Sequence, residues 1–127
     1  MRKKYIIGII LIAFAIALAI FAYQQKKAVP IAPSGNNPDL ILYYGDTCPH
    51  CKIVEAFLQD NKIAEKVNFS QKEVFSNSTN AQDLSKKATI CKINSNEVGV
   101  PFLWNNGTCL VGDQDIINFF KDKAGIK

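Results

Sequence analysis

Nineteen consecutive residues without a charge, 5–23, divide this chain before any other feature does. Leu, Ile, Phe and Ala dominate the run, and Gly8 is its only glycine. As a helix at about 1.5 Å per residue it is roughly 28 Å long, close to the hydrocarbon thickness of a bilayer. Tyr5 and Tyr23 stand at its two ends, where interfacial aromatic residues belong. Arg2, Lys3 and Lys4 precede it, and Lys26 and Lys27 follow. That bias orients the N-terminus toward the cytoplasm. A cleaved signal peptide is the other reading. Its A-x-A-like triplet, Ala17-Leu18-Ala19, lies inside the apolar run, so an uncleaved anchor is favoured. Both readings put the rest of the chain outside the cytoplasm.

The charge divides at the same place. The five basic residues flanking the run account for more than the whole net charge of +4. From Pro38 onward ten lysines face eleven acidic residues, leaving −1. A near-neutral domain has no electrostatic footprint for nucleic acid. The whole chain of 127 residues is 48% apolar and 20% charged, which excludes a fully disordered polymer. Residues 24–38 hold Pro30, Pro33 and Pro38 with Ser34, Gly35, Asn36 and Asn37, a composition that favours an extended, solvated tether. The organisation is therefore a basic cytoplasmic N-terminus (1–4), a transmembrane anchor (5–23), a linker (24–38) and one domain (39–127).

That domain reads as βαβαββα. Leu40-Ile41-Leu42-Tyr43-Tyr44 is a short continuous apolar run, as in a central strand buried on both faces. Gly45-Asp46-Thr47 turns the chain, with Thr47 or Asp46 available as a cap. From Cys48 to about Lys62, Cys51, Val54, Phe57 and Leu58 share one helical face. Over 67–75, Val67, Phe69 and Phe75 fall at even spacing, a half-buried strand. Thr79 and Gln82 form a capping box ahead of a helix carrying Ala81, Leu84, Ala88 and Cys91 on one stripe. Phe102-Leu103-Trp104, a turn at Asn105-Asn106-Gly107 and a strand over 108–111 make a hairpin. Asp113 caps a last helix that buries Ile116, Ile117, Phe120 and Ala124.

The chemistry lies in Cys48-Pro49-His50-Cys51. At the start of a helix, directly after a strand, Cys48 faces unpaired N–H groups and the positive end of the helix dipole, which favour an anion. The position predicts a thiolate nucleophile at Cys48, with Cys51 one turn deeper to resolve a mixed disulfide. Pro49 fits the first helical turn, where its missing N–H is no loss. His50, the single histidine, lies between the cysteines and is expected to stabilise the Cys48 thiolate further. A better-stabilised thiolate favours the reduced form, which makes the disulfide form an oxidant.

Other chemistries compete for the same residues. A zinc site could use Cys48 and Cys51 with Cys91 and Cys109, although the latter two form no second short pair. A c-type haem site needs His after Cys51, and position 52 is Lys. A purely structural Cys48–Cys51 bond would constrain too little chain to matter. Cys91 and Cys109 either stay buried apart or join. The loop over 92–100 can bring the helix end to the hairpin, so a structural Cys91–Cys109 disulfide is favoured over two inert thiols. It would close a loop of about 19 residues, worth roughly 3 kcal/mol in the chain-entropy account.

A strand, a Cys-Pro-His-Cys helix start, and Gly99-Val100-Pro101 ahead of a β-hairpin together resemble the thioredoxin-like superfamily in its short glutaredoxin-like form. The likeness covers about residues 40–124. Cys-Pro-His-Cys itself resembles the periplasmic disulfide oxidants of bacteria. Pro101-Phe102-Leu103-Trp104 and Gly112-Asp113-Gln114-Asp115 resemble small thioredoxin-like domains found with bacterial vitamin K epoxide reductase homologues. The resemblance implies a four-stranded mixed sheet with flanking helices. It also implies a cis Pro101 facing the redox cysteines, and a Val100 backbone that pairs with substrate. Leu42 stands where thioredoxins carry a buried Asp. Only Gly112 and Asp115 match the glutathione-holding stretch of glutaredoxins, which argues against glutathione binding.

The sequence thus predicts a membrane-anchored thiol–disulfide oxidoreductase whose catalytic domain lies outside the cytoplasm. Cys48 exchanges, Cys51 resolves, His50 tunes, and Pro49, Val100 and Pro101 shape the substrate groove. The cysteine pair carries the electrons without a further cofactor. Client proteins with thiols or disulfides, and a membrane quinone-linked disulfide oxidase, are the expected partners. A reductase fed by a membrane electron carrier, and a non-catalytic zinc-binding module, are the alternatives.

Overall fold

The computed structural model describes Ile6, residues 12–20 and residues 39–127. The chain divides into two compact units, Met1–Ala32 and Pro33–Lys127. In the first, residues 12–20 are helical and expose Phe14, Ile16 and Leu18. Among the described residues no helix is long and apolar enough to cross a membrane. The expected N-terminus (1–4), much of the expected anchor (5–23) and the whole tether (24–38) lie outside the described residues.

The second unit is an α/β fold with a four-stranded mixed sheet. Its elements are β1 (Leu40–Tyr44), α1 (Pro49–Asp60), α2 (Ile63–Lys66), β2 (Ser70–Glu73), α3 (Ser78–Ile90), β3 (Phe102–Asn105), β4 (Thr108–Val111) and α4 (Asp113–Ala124). The sheet order is β2-β1-β3-β4. β2 pairs parallel to β1, with Leu42 opposite Gln71. β3 pairs antiparallel to β1, with Leu42 opposite Leu103, and β4 antiparallel to β3. The apolar run of β1 is explained by its central place, because both its faces are covered. Leu40 and Leu42 meet Val54 and Leu58 of α1 and Ile116, Ile117 and Phe120 of α4. Ile41 and Tyr43 point the other way, toward Leu84 and Ala88 of α3 with Phe102 and Trp104. Fully burying one such side chain stabilises the fold by about 1.5–3 kcal/mol.

The elements differ from the sequence expectation mostly at their ends, where polar side chains decide. The first helix begins one residue later than expected, and Cys48 itself is its N-cap. It stops at Asp60 because Asn61 returns its amide and its side-chain Nδ2 to Phe57 O, and Lys62 turns left-handed at φ 50°. The short α2 that follows seats the fully buried Ile63. β2 covers only part of the expected 67–75. Val67 and Phe69 are buried ahead of it, whereas Phe75 lies beyond it and is exposed. Asn77, not Thr79, caps α3, through Oδ1 to the Asn80 amide at 3.1 Å. Gly112 occupies the N-cap of α4 with φ 94°, so Asp113 is the first helical residue rather than the cap. The hairpin turn narrows to Asn106 and Gly107, both at positive φ, which matches the right-handed twist of the strands.

Candidate active site

The C-terminal end of β1 carries the Cys-Pro-His-Cys turn. Gly45 O accepts the Cys48 amide at 3.1 Å, which closes the chain back on the strand end. Pro49 then opens α1, where no N–H is required. Cys48 lies outside the helix with extended backbone, and its sulfur accepts the Cys51 amide at 3.2 Å. Sulfur thus takes the place of the Ser, Thr, Asp or Asn oxygen that commonly caps a helix. The positive end of the helix dipole falls on the same atom.

Both cysteines are free thiols and both are buried, Cys48 at 8% and Cys51 at 4% exposure. The small difference has a direction. Cys48 borders an open cavity of about 380 Å³, whereas Cys51 lies behind it. Burial, then the hydrogen bond with Cys48, pushes the Cys51 thiol up to about 12, although the Gly45 backbone works the other way. At neutral pH Cys51 is therefore held as a thiol.

The other side of the cavity comes from the loop before β3. The Cys48 thiol donates to Val100 O at 3.4 Å. The Val100–Pro101 peptide is cis, and Pro101 is fully buried. Pro101 O accepts the Gly112 amide at 3.0 Å, which ties this loop to the start of α4. Pro49, Val98 and Val100 line the cavity with Cys48, and so do Val74 and Phe75 from the loop after β2. Of the residues singled out in the sequence, Cys48, Pro49, Cys51, Val100 and Pro101 come together here.

His50 turns elsewhere. Its ring is 68% exposed, and Nδ1 lies 3.2 Å from Oδ2 of Asp113 at the start of α4. The His50 hydrogen bond, with the Gln114 amide, holds the Asp113 carboxyl below its ordinary range. In the sequence Asp113 stands only as a helix cap. Sixty-three residues separate it from His50, and no local pattern joins them.

Cys91 and Cys109 do not line this cavity and are bonded to each other, with Cα atoms 6.2 Å apart. Cys91 is the C-cap of α3, and Cys109 pairs across the hairpin with Trp104. The ligand set of the zinc alternative is thereby unmade, since two of its four sulfurs are not thiolates. Among the described residues no group of three or more His, Cys, Asp and Glu side chains could hold a metal ion.

Two further features lie beyond the motif. Tyr43 OH donates to Asp83 Oδ2 at 2.7 Å, and Lys72 Nζ reaches the same oxygen. Burial and the Asp83 carboxylate push the Tyr43 hydroxyl far above its usual range. Burial opposes ionisation of Asp83, but Lys72 and Tyr43 outweigh it and hold the carboxyl low. This joins β1, β2 and α3. Beside it, the Glu73 carboxylate gathers the loop that carries Phe75. No family model, curated protein or solved structure matches the chain.

Proposed function

We propose that this chain is a thioredoxin-like thiol–disulfide oxidoreductase, held at a membrane by residues 5–23 with residues 39–127 outside the cytoplasm. One observation carries the reading. The Cys48 sulfur caps α1, accepts the Cys51 amide, and borders an apolar cavity whose far side is Val100. An exchanging sulfur needs these three things: a place for its negative charge, a neighbouring thiol, and room for a client.

In the oxidising direction the client thiolate attacks Sγ of Cys48 in the Cys48–Cys51 disulfide. The client–Cys48 bond forms as the Cys48–Cys51 bond breaks, and Cys51 leaves with the electron pair and takes up a proton. Burial disfavours the Cys51 anion, so its departure is coupled to uptake of that proton. The client's second thiolate then attacks the client sulfur of the mixed disulfide. The client disulfide forms, and Cys48 leaves as a thiolate stabilised by the Cys51 amide. Two electrons have passed from client to cysteine pair. A membrane quinone-linked disulfide oxidase removes them and restores the Cys48–Cys51 bond.

Equilibration with glutathione tests the reading. A potential near about −120 mV, as in strong protein oxidants, is the expected result. A value near about −270 mV would reverse the direction of electron flow and make the site a reductase. Failure of Cys48 and Cys51 to form a disulfide under any poise would end the proposal.

A further inference from the structure

Phe75 is 60% exposed, although the strand before it and the helix after it are both well ordered by hydrogen bonds. An aromatic ring left in water at the edge of a cavity calls for a physical reason. The ring is not loose. The Glu73 carboxylate accepts the Phe75 amide at 2.6 Å, the Ser76 amide at 2.8 Å and the Ser76 hydroxyl. The Ser76 hydroxyl is the main influence holding Glu73 low, at about 2, helped by the amides of Ser76, Phe75 and Asp46 and opposed by desolvation. Asn80 Nδ2 donates to Glu73 O at 2.8 Å, and the Val74 amide to Tyr44 O at 2.9 Å. These hydrogen bonds fix the backbone of the loop. The result is a ring resting on Gly45, where any Cβ would collide with it. Gly45 is also the residue whose carbonyl accepts the Cys48 amide.

We infer that Phe75 is a specificity-determining residue, positioned by Glu73, which favours polypeptide clients with an apolar side chain next to the reacting cysteine. The inference rests on the exchange chemistry proposed above. In the mixed disulfide the client is bonded to the Cys48 sulfur, and its neighbouring Cα lies 3.8 Å from that of its cysteine. The adjacent client side chain therefore falls within the cavity that Cys48 and Phe75 share. A cavity of about 380 Å³ accommodates one large apolar side chain. Val74, Val98 and Val100 offer such a side chain apolar surface, and no charged residue lines the cavity. Glu73 touches no client in this scheme; it acts through the ring it holds.

The experiment compares exchange rates of the oxidised full chain with three reductants: a cysteine peptide with Phe beside the cysteine, the same peptide with Ser there, and reduced glutathione. The expected preference for Phe over Ser is about tenfold, as for burial of one apolar side chain. Phe75→Ala should bring that ratio below about twofold by slowing the Phe peptide toward the Ser peptide. Phe75→Leu should restore most of the ratio, and Glu73→Gln should give an intermediate one. A ratio that survives Phe75→Ala overturns the inference. So does a loss of all three rates together in Phe75→Ala, which would give the ring a structural role. If the unsubstituted chain exchanges with none of the three, the proposed function falls and this inference with it. If it exchanges with all three at equal rates, only this inference falls.

Discussion

The two cysteine pairs of this domain occupy opposite ends of helices and have opposite fates. Cys48 caps the start of α1, whereas Cys91 caps the end of α3. Burial does not separate them in the usual sense, because the free pair is the more buried one and Cys91 and Cys109 are each half-exposed. What separates them is what each sulfur faces. Cys48 receives an amide and the positive end of a dipole. Cys91 lies at the negative end of α3, beside Gly107 O and at bonding distance from Cys109. A helix N-terminus lowers the cost of breaking a disulfide into a thiolate, and a helix C-terminus gives no such help. One sheet thus carries a pair suited to exchange and a pair suited to staying joined.

The largest effect expected from this contrast is on exchange itself. Cys48→Ser should reduce exchange to the uncatalysed background. Cys51→Ser should leave Cys48 reactive and accumulate mixed disulfides with client proteins, visible as bands lost on reduction. Equal trapping by the two variants would show that either sulfur can be attacked, and that the groove side of the pair does not matter.

The second pair should show the reverse. Replacing Cys91 and Cys109 together by serine should cost about 3 kcal/mol by the entropy of an 18-residue separation. For a domain of this size that lowers Tm by more than about 10 °C. The glutathione equilibrium of Cys48 and Cys51 should not move. A shift in that equilibrium comparable to the loss of stability would show that the pairs are coupled and the contrast false.

How far this contrast was legible in the sequence depends on distance along the chain. The exchange pair could be read because strand, turn, cysteine and helix start are consecutive from Leu40 to Cys51. The faces of β1, α1 and α4 could be read because burial there follows local period. The Cys91–Cys109 bond depends on where the 92–100 loop carries the chain, which no local period encodes. Local pattern gives Asp113 only a capping role, because its partner, His50, is 63 residues away. The even spacing of Phe75 from Phe69 points to a strand face. The spacing held no sign that Glu73 would end the strand by taking the amides of Phe75 and Ser76.

A smaller effect distinguishes the two members of the exchange pair. Only the thiolate attacks, and its fraction rises tenfold per pH unit below the thiol's own value. Cys51 is held up to about 12, chiefly by burial, and burial persists in the mixed disulfide. Resolution of a trapped Cys48–peptide bond by Cys51 should therefore accelerate close to tenfold per unit between about pH 6 and 9 in stopped-flow measurements. The same shift bears on folding. A thiol whose folded value exceeds its unfolded one stabilises the fold fully below the unfolded value, and loses that stability as pH rises toward the folded value. The reduced domain should thus weaken between about pH 9 and 12, and the oxidised domain, with no Cys51 thiol, should lack that component. A rate that levels off between about pH 8 and 9 would mean that Cys51 is no more shielded than a surface thiol, whose ordinary value is about 8.5.

The smallest effect belongs to His50, and the structure gives a reason for it to be small. Sequence position alone predicts that this imidazole serves Cys48. Its ring is instead 68% exposed, with Nδ1 on the Asp113 carboxylate. Solvent screens an exposed charge, and a carboxylate 3.2 Å away offsets much of its field at the sulfur. His50→Ala should still make the couple less oxidising, because an imidazole N–H beside the motif favours the thiolate and hence the reduced form. The shift should stay below about 30 mV, which is a tenfold change for a two-electron couple. Asp113→Asn should leave a smaller change than His50→Ala, and the double variant should match His50→Ala alone if Asp113 acts only through the ring. A His50→Ala shift well beyond 30 mV would mean that the imidazole leaves Asp113 and turns to the thiolate once Cys48 is charged. The exchange pair would then owe its difference from Cys91 and Cys109 to a moving side chain as much as to the helix end.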